Sequence, residues 1–208
     1  MLEVTAMQQI FYTPVPPEEY ARLGKDFPFP QPLSCPNPGC LVKAPPQKHG
    51  FYQRNVIAAN FCGRILIRRY YCKYCRTTIS YLPSFCLPYF QYTVEIIFTT
   101  LWHALVSHHS FSECLNLLKK LFENLYWEAS HLQFYVRRFL ANLNNIKVGL
   151  RQLLPRVSLP QDSPDKKEGA RKVLHIVAAG FPQIQTFSSR FYAQCGYSFM
   201  APLHNILA

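Results

Sequence analysis

Two pairs of cysteines carry the clearest chemistry in the sequence. Cys35 and Cys40 enclose the residues Pro-Asn-Pro-Gly, and Cys72 and Cys75 enclose Lys-Tyr. Thiolates are soft ligands that zinc accepts, and two short-spaced pairs separated by a hairpin-length segment are typical of a four-cysteine zinc site. The sequence therefore predicts that these four cysteines bind Zn²⁺.

The ligand set leaves some alternatives open. The first pair has four intervening residues where two are usual, so a neighbouring side chain could replace Cys40. His49, Cys62 and Cys86 are the available substitutes. Cys114 and Cys195 lie in apolar helical patterns, and we expect them in the core.

A zinc ion held by four thiolates has a structural role. Its coordination shell is closed, so it cannot activate a water molecule. The three aspartates, Asp26, Asp162 and Asp165, do not form a recognisable carboxylate trio, and the pair His108-His109 has no nucleophile beside it. No glycine-rich phosphate loop is visible either. We therefore expect a non-catalytic protein.

Three strands are predicted to hold the cysteines. Alternating and β-branched residues indicate strands at 50–58, 64–71 and 77–82, and the second of these leads directly into Cys72. These strands predict a small zinc ribbon of three short antiparallel strands over residues 31–88.

Residues 1–30, rich in proline and aromatic residues, are expected to form an extended arm. The first dozen residues are equally consistent with a flexible tail.

Helical patterns follow the ribbon, which makes the predicted fold class α+β. Helices are expected at 93–107, at 110–122 behind the capping box Ser110-x-x-Glu113, and at 130–150 behind Ser130-x-x-Gln133. This predicts a helix-turn-helix-like domain over residues 89–157, although the connection at 122–130 is longer than usual. A polar linker at 158–169 and carboxy-terminal helices within 170–208 complete the chain.

Positive charge is concentrated in two stretches. The chain has 22 Lys and Arg against 11 Asp and Glu, and no acidic residue occurs between Asp26 and Glu95 or between Glu128 and Asp162. Such a distribution attracts polyanions. The predicted nucleic-acid contacts, interleaved with aromatic residues in the ribbon, are Arg54, Arg64, Arg68, Arg69, Lys73, Arg76, Arg137 and Arg138.

The basic residues of the ribbon and those of the predicted third helix each have an alternative interpretation. The basic ribbon could instead be a solvated surface that contacts a protein, because zinc ribbons serve both uses. Arg137 and Arg138 could reach a DNA groove or merely solubilise the polar side of a core helix.

We also expect no membrane association and a cytoplasmic location. The longest apolar run, residues 94–106, is too short to cross a bilayer, and the first residues show no secretory pattern. Nothing in the sequence indicates an oligomeric state.

Several motifs together resemble a known family. They are Cys35-Pro through Cys40, His49-Gly-Phe-Tyr-x-Arg54, Ile67-x-Arg69-x-x-Cys72-x-x-Cys75, Thr78-x-Ser80-x-Leu82-Pro83 and Pro88-Tyr89. In these residues the chain looks like the amino-terminal zinc-binding region of bacterial insertion-sequence transposases. It is similar in particular to an uncharacterised bacterial family that pairs this zinc ribbon with a helix-turn-helix-like segment. The resemblance covers about residues 20–150 of the sequence.

The resemblance implies a DNA-binding protein of mobile-element origin with Cys35, Cys40, Cys72 and Cys75 as zinc ligands. The carboxy-terminal half departs from full transposases, since it lacks the acidic residues of a nuclease. We therefore expect the recognition or regulatory part of such a system, with DNA and a transposase or other protein subunit as partners. A protein-interaction module, or a transposase whose partner supplies the nuclease, are the alternatives.

Overall fold

The computed structural model describes residues 6–107, 109–123, 125–161 and 165–201. Its fold is α+β. Within those residues a four-stranded sheet comes first and seven α-helices accompany it. The elements are β1 (Ala6–Phe11), α1 (Pro17–Leu23), a 3-10 turn (Gly24–Asp26), β2 (Gln47–Ala58), β3 (Phe61–Cys72), β4 (Thr77–Pro83), α2 (Val94–Leu105), α3 (Phe111–Leu121), α4 (Ala129–Ala141), α5 (Leu143–Leu153), α6 (Lys166–Gly180) and α7 (Ile184–Cys195).

The sheet differs from the predicted three-stranded ribbon. Its strand order is β1-β4-β3-β2, and β1 pairs with β4 in parallel while the other neighbours are antiparallel. β2 and β3 are 12 residues each, so the hairpin is longer than the short strands predicted at 50–58 and 64–71. The three predicted strands are present and mutually antiparallel, but the expectation of a small three-stranded ribbon was wrong in strand number, because β1 adds a fourth, parallel strand, and in the lengths of β2 and β3.

The additional strand, β1, lies in the segment predicted as an arm or a flexible tail. Its residues pair from Ala6 opposite Thr78 to Phe11 opposite Pro83. The strand composition, Ala-Met-Gln-Gln-Ile-Phe, has no clear alternation, and its partner is far away in the sequence. A parallel pairing over that separation depends on tertiary packing, which local patterns do not reveal.

The buried side of the β2–β3 hairpin forms one of two small cores in the sheet region. Val56, Ile65 and Ile67 are almost fully buried, and they pack with Tyr20 of α1 and Phe85 after β4. The Tyr20 hydroxyl donates to the carbonyl of Leu66 at 3.0 Å, which attaches α1 to β3. Alternation along the hairpin thus gives one buried face, as period-two patterning requires.

The helices share a separate, larger core. α3 begins where predicted, because the Ser110 side chain accepts from the Glu113 amide and Glu113 reaches back to the Ser110 amide. The second predicted box, at Ser130 and Gln133, does not form. Glu128 caps α4 instead, and the Nδ1 atom of His131 accepts from the Glu128 amide. The capping prediction was therefore confirmed for α3 and wrong for α4.

The long third helix predicted at 130–150 is two helices. Asn142 interrupts it with a non-helical backbone, and its buried side-chain amide donates to the carbonyls of Phe199 and Ala201 at 3.0 and 2.8 Å. Asn142 is only 1 % exposed and so lies in the core. The apolar stripe continues on both sides of this break, which explains why periodicity alone suggested one helix.

The carboxy-terminal part begins earlier than predicted. Asp165 accepts from the amides of Lys167 and Glu168 and so starts α6 inside the expected linker. Residues 162–164 of that linker, His108 and the tail at 202–208 lie outside the described residues. Among the helices of the described chain, none is long and apolar enough to cross a membrane.

The sheet and the helices meet through backbone hydrogen bonds. The Ile57 amide donates to Gln91 at 2.9 Å, and the Ile57 carbonyl accepts from Thr93 at 3.0 Å, just before α2. On the other side of the sheet, the Tyr192 hydroxyl of α7 donates to the carbonyl of Gln8 in β1 at 2.6 Å. The two regions are therefore joined at both edges of the sheet.

The close approach of α5 and α7 gives a test of the helical packing. A Cβ atom added at Gly149 would lie 2.4 Å from the Phe191 ring and 2.8 Å from the Cys195 sulfur. Gly149→Ala should therefore lower the free energy of unfolding by about 1–3 kcal/mol, the range seen for overpacked cores. Gly169→Ala in α6 is the matched control, because its Cβ would meet Leu143 at an ordinary 3.4 Å.

The control should gain up to about 1 kcal/mol from the higher helix propensity of alanine. Urea unfolding of both variants, followed by circular dichroism, measures the difference. Equal stabilities of the two variants would contradict the predicted packing of α5 against α7.

Candidate metal centre and basic surface

The four predicted cysteines lie together. The sulfur atoms of Cys35, Cys40, Cys72 and Cys75 are all within 4.8 Å of one another. The Cys35 and Cys75 sulfurs are 3.6 Å apart, and those of Cys40 and Cys72 are 3.8 Å apart. A tetrahedral zinc site with Zn–S bonds of about 2.3 Å places its sulfurs about 3.8 Å apart. The spacing is too long for disulfides and fits a single metal ion.

Three structural elements bring these sulfurs together. Cys72 is the last residue of β3, Cys75 lies in the turn before β4, and Cys35 and Cys40 lie on the loop before β2. Cys35, Cys40 and Cys72 are buried, and Cys75 is partly exposed. The antiparallel hairpin returns the chain to its starting end, which places the two pairs side by side.

The first pair is shaped by Asn37. Its backbone carbonyl accepts from the Cys40 amide at 3.0 Å, and its side-chain oxygen accepts from the Gly39 amide at 2.9 Å. The four intervening residues thus form a compact turn, with the Asn side chain imitating a backbone acceptor. The longer spacing is therefore compatible with Cys40 as a ligand.

Asn37 also connects the first pair to the second. Its side-chain amide donates to the Thr77 hydroxyl at 2.9 Å, and that hydroxyl oxygen lies 3.3 Å from the Cys75 sulfur. Sequence reasoning missed both residues. The signal for Asn37 was present, because an asparagine flanked by prolines and followed by glycine is typical of a turn with a side-chain hydrogen bond.

A second small core supports the cysteines from the sheet. Tyr70 and Ile79 are fully buried against Cys35, Cys40 and Cys72. Met7 of β1 packs on the same cluster, and the Tyr70 hydroxyl donates to the carbonyl of Pro30 at 2.7 Å. Two parts of the predicted arm, β1 and Pro30, therefore contact the core that supports the candidate metal centre.

The thiols of this cluster differ in acidity. Burial raises the pKa of Cys35 to about 12. Burial acts in the same direction on Cys75, but hydrogen bonding from the side chain and backbone of Thr77 outweighs it and lowers the pKa to about 6. Because a metal ligand must be deprotonated, metal binding has to displace the Cys35 proton and weakens as the pH falls.

The alternative ligands lie elsewhere. Cys62 is exposed near the turn of the β2–β3 hairpin, and His49 is exposed with its ring 5.4 Å from that of Tyr71. Cys86 belongs to the core around Tyr20, where burial raises its pKa to about 12. In the described part of the chain, the metal-binding cluster consists of the four cysteines predicted, and they could bind a metal ion.

The pleat of the sheet separates the predicted basic residues. Arg64 pairs with Asn55, and Arg68 pairs with Phe51, so both lie on the face of the hairpin that also carries Gln53. Arg54 pairs with Ile65 on the opposite face. Arg69 follows Arg68 in the strand and therefore also points to that opposite face. The ribbon arginines do not form one continuous surface.

Arg54 and Arg69 are in partly buried surroundings. The Arg54 guanidinium donates to the carbonyls of Leu87 and Phe90, in the segment that leads to α2. The Nε atoms of both arginines are buried and have no hydrogen-bond partner among the described residues. Arg54 thus connects the sheet to the helical region, and its contact with nucleic acid stays a prediction.

The remaining predicted residues are more accessible. Arg64, Lys73, Arg76 and Arg137 are exposed, while Arg68 is half-buried with its guanidinium 4.5 Å from the Phe51 ring centre. Arg138 is also half-buried and lies 5.4 Å from the Phe134 ring. Lys73 and Arg76 flank the ligands of the second cysteine pair. Each of them directly follows a candidate ligand in the sequence.

Removing one sulfur tests the cluster. Cys40→Ser should lower the zinc affinity by more than about 100-fold, the upper range seen when only outer partners of a metal ligand are removed. It should also lower the thermal stability of the sheet region, because metal binding contributes to folding. Competition with a chromogenic chelator measures the affinity, and Cys62→Ser is the control because this exposed thiol lies outside the cluster. An unchanged affinity in Cys40→Ser would contradict the assigned ligand set.

Comparison with known proteins gives one partial match. A family model described as "Domain of unknown function (DUF6431)" matches residues 37–114. The matched stretch begins after Cys35, includes the other three cysteines and β2 to β4, and extends into α3. No curated protein and no solved structure matches the chain. Residues 37–114 are therefore similar to a family whose description states no function.

Proposed function

We propose that this protein is a zinc-dependent, non-catalytic DNA-binding protein of transposase origin, acting as the recognition or regulatory part of an insertion-sequence system. The observation that carries the proposal is the arrangement of charge around the cysteine cluster. Every charged residue between Asp26 and Glu95 is basic, and these residues include Lys73 and Arg76 beside the proposed ligands.

Zinc is the proposed ion because of the donor set. Four thiolates at tetrahedral spacing are the ligands of structural zinc sites, and they leave no open coordination position. The proposed role of the ion is therefore to fix the two cysteine pairs and the cations next to them. On this proposal binding depends on zinc, and no reaction takes place at the metal.

The basic residues support DNA as the partner through their lack of acidic neighbours. The described ion pairs include Arg22 with Glu19, and Arg171 and Lys172 with Glu168, and none of the described pairs involves a basic residue of β2 to β4. Unpaired, exposed cations are available to neutralise phosphates. The proposed contacts are centred on Arg64, Arg68, Lys73 and Arg76, with Arg137 and Arg138 of α4 as a second group.

The second candidate is a zinc-ribbon module that docks a protein in a transposition or transcription complex. Its support is the set of exposed apolar residues around the cysteine pairs, among them Leu33, Leu41 and Tyr74. A cytoplasmic location is part of both proposals. Both also allow a transposase or another subunit as a partner.

Paired charge-removing variants distinguish a local DNA surface from a general effect of net charge. Arg64→Gln with Arg68→Gln removes two charges from one face of β3, and Lys166→Gln with Lys167→Gln removes two exposed charges at the start of α6. The first pair should weaken DNA binding and reduce the slope of log K against log salt by about 2, because each lost phosphate contact contributes about 0.9. The second pair should leave the slope nearly unchanged.

Fluorescence anisotropy with a mixed-sequence duplex, titrated over a range of salt concentrations, measures both quantities. A wild-type affinity that does not depend on salt would contradict the proposed function. Equal effects of the two variant pairs would contradict the location of the surface. Retained binding to a protein partner by the Arg64 and Arg68 variants, without any DNA binding in wild type, would favour the second candidate.

A further inference from the structure

A short apolar loop projects from the cysteine cluster. Leu41 is 98 % exposed and Val42 is 54 % exposed, directly after the ligand residue Cys40. Isolated exposed apolar residues are common on protein surfaces, but two consecutive ones in a rigid setting are less easily explained. We call residues 41 and 42 the apolar prong.

The prong is fixed at both ends. On one side, Cys40 is buried, its sulfur belongs to the cluster and its amide donates to the carbonyl of Asn37. On the other side, Lys43 has a left-handed backbone with φ of 51°, and its ammonium donates to the carbonyls of Asn37 and Pro38 at 2.6 and 3.4 Å. Non-glycine residues in this conformation need support from their surroundings. The backbone that carries the two apolar side chains is thus already ordered, so inserting them into a partner would cost little further conformational entropy.

The surroundings of the prong are cationic and aromatic. Tyr74, between the second pair of cysteines, is 52 % exposed, and the Lys73 ammonium lies 5.2 Å from its ring centre. Arg76 is exposed on the other side of Cys75. Because the four sulfurs lie within 4.8 Å of one another, the two cysteine turns are adjacent. The charge around the prong is complementary to a polyanion.

We propose that the apolar prong, Leu41 and Val42, is a wedge that inserts at a base step of double-stranded DNA and kinks it. This inference rests on the proposed DNA-binding function and adds a mode of contact to it. Apolar wedges of this kind partly unstack a base step, and the resulting bend brings more phosphates to the surrounding cations. Lys73 and Arg76 would bind the phosphates beside the kink, and the metal would keep the wedge and the cations in register.

The alternative occupants of the prong are an anionic membrane and an apolar pocket in a protein. The charges favour DNA over an apolar protein pocket, because the cations beside the prong include an arginine, which binds phosphate oxygens through two parallel hydrogen bonds. The segment between Asp26 and Glu95, which contains the prong and these cations, has no acidic residue that would repel the phosphates. The experiment therefore includes a membrane arm.

The test uses the zinc-loaded full chain and a short duplex with a donor and an acceptor dye at its ends and 2-aminopurine inside. Wild-type protein should raise the 2-aminopurine fluorescence, which reports unstacking, and should raise energy transfer, which reports bending. The double variant Leu41→Ala and Val42→Ala should lose both signals and bind several-fold more weakly. Its zinc content should match that of wild type, because no ligand has been removed, whereas its salt slope should become slightly shallower, because unbent DNA brings fewer phosphates to the surrounding cations.

Leu33→Ala is the control, since Leu33 is also highly exposed and close in sequence to a cysteine ligand but lies outside the loop. It should keep both signals. Salt-dependent wild-type binding without unstacking or bending would overturn the wedge and leave the proposed function intact, and so would a double variant that bends DNA like wild type. Absence of any DNA binding would overturn both.

Sedimentation with phosphatidylserine vesicles supplies the remaining arm. The proposal expects no effect of the double variant on vesicle binding. Vesicle binding that requires Leu41 and Val42, combined with DNA signals that do not, would overturn the wedge in favour of a membrane contact.

Discussion

The convergence of four cysteine sulfurs on one point is the constraint on which this structure depends most, and four sulfurs held in this way could bind a metal ion. The four sulfurs come from chain segments separated by the whole β2–β3 hairpin, and they converge to within 4.8 Å. Without an ion, burial raises the pKa of Cys35 to about 12. Cysteine sulfurs form only weak hydrogen bonds with one another, so a bound metal ion would provide the main reason for the two turns to adopt this geometry.

The influence of the cluster extends through the sheet. Tyr70, Ile79 and Met7 pack against the cysteines, and Met7 belongs to the strand that closes the far edge. That strand in turn accepts a hydrogen bond from Tyr192 of α7. The candidate metal centre is therefore connected by contacts to the carboxy-terminal helices. Arg54 makes a similar connection at the other edge of the sheet, through the carbonyls that precede α2.

Features with a short-range chemical cause could be predicted from the sequence. The four cysteines, the hairpin and the capping box at Ser110 and Glu113 each follow from residues close together in the chain. Features that depend on distant partners could not be predicted. β1 pairs with β4 across the whole ribbon, and Asn142 breaks a periodic helix because carbonyls near residue 200 accept its amide. The charged sequence positions do not show which residues share a surface, because the pleat of β3 sends Arg68 and Arg69 to opposite faces.

X-ray absorption at the zinc edge, on protein purified with zinc, tests the central claim most directly. The geometry of Cys35, Cys40, Cys72 and Cys75 predicts one zinc per chain with four sulfur neighbours at about 2.3 Å and no nitrogen or oxygen neighbours. A protein that folds without bound metal would contradict this account of the sheet. So would a mixed shell of sulfur with nitrogen or oxygen, because it would require a ligand from outside the four cysteines.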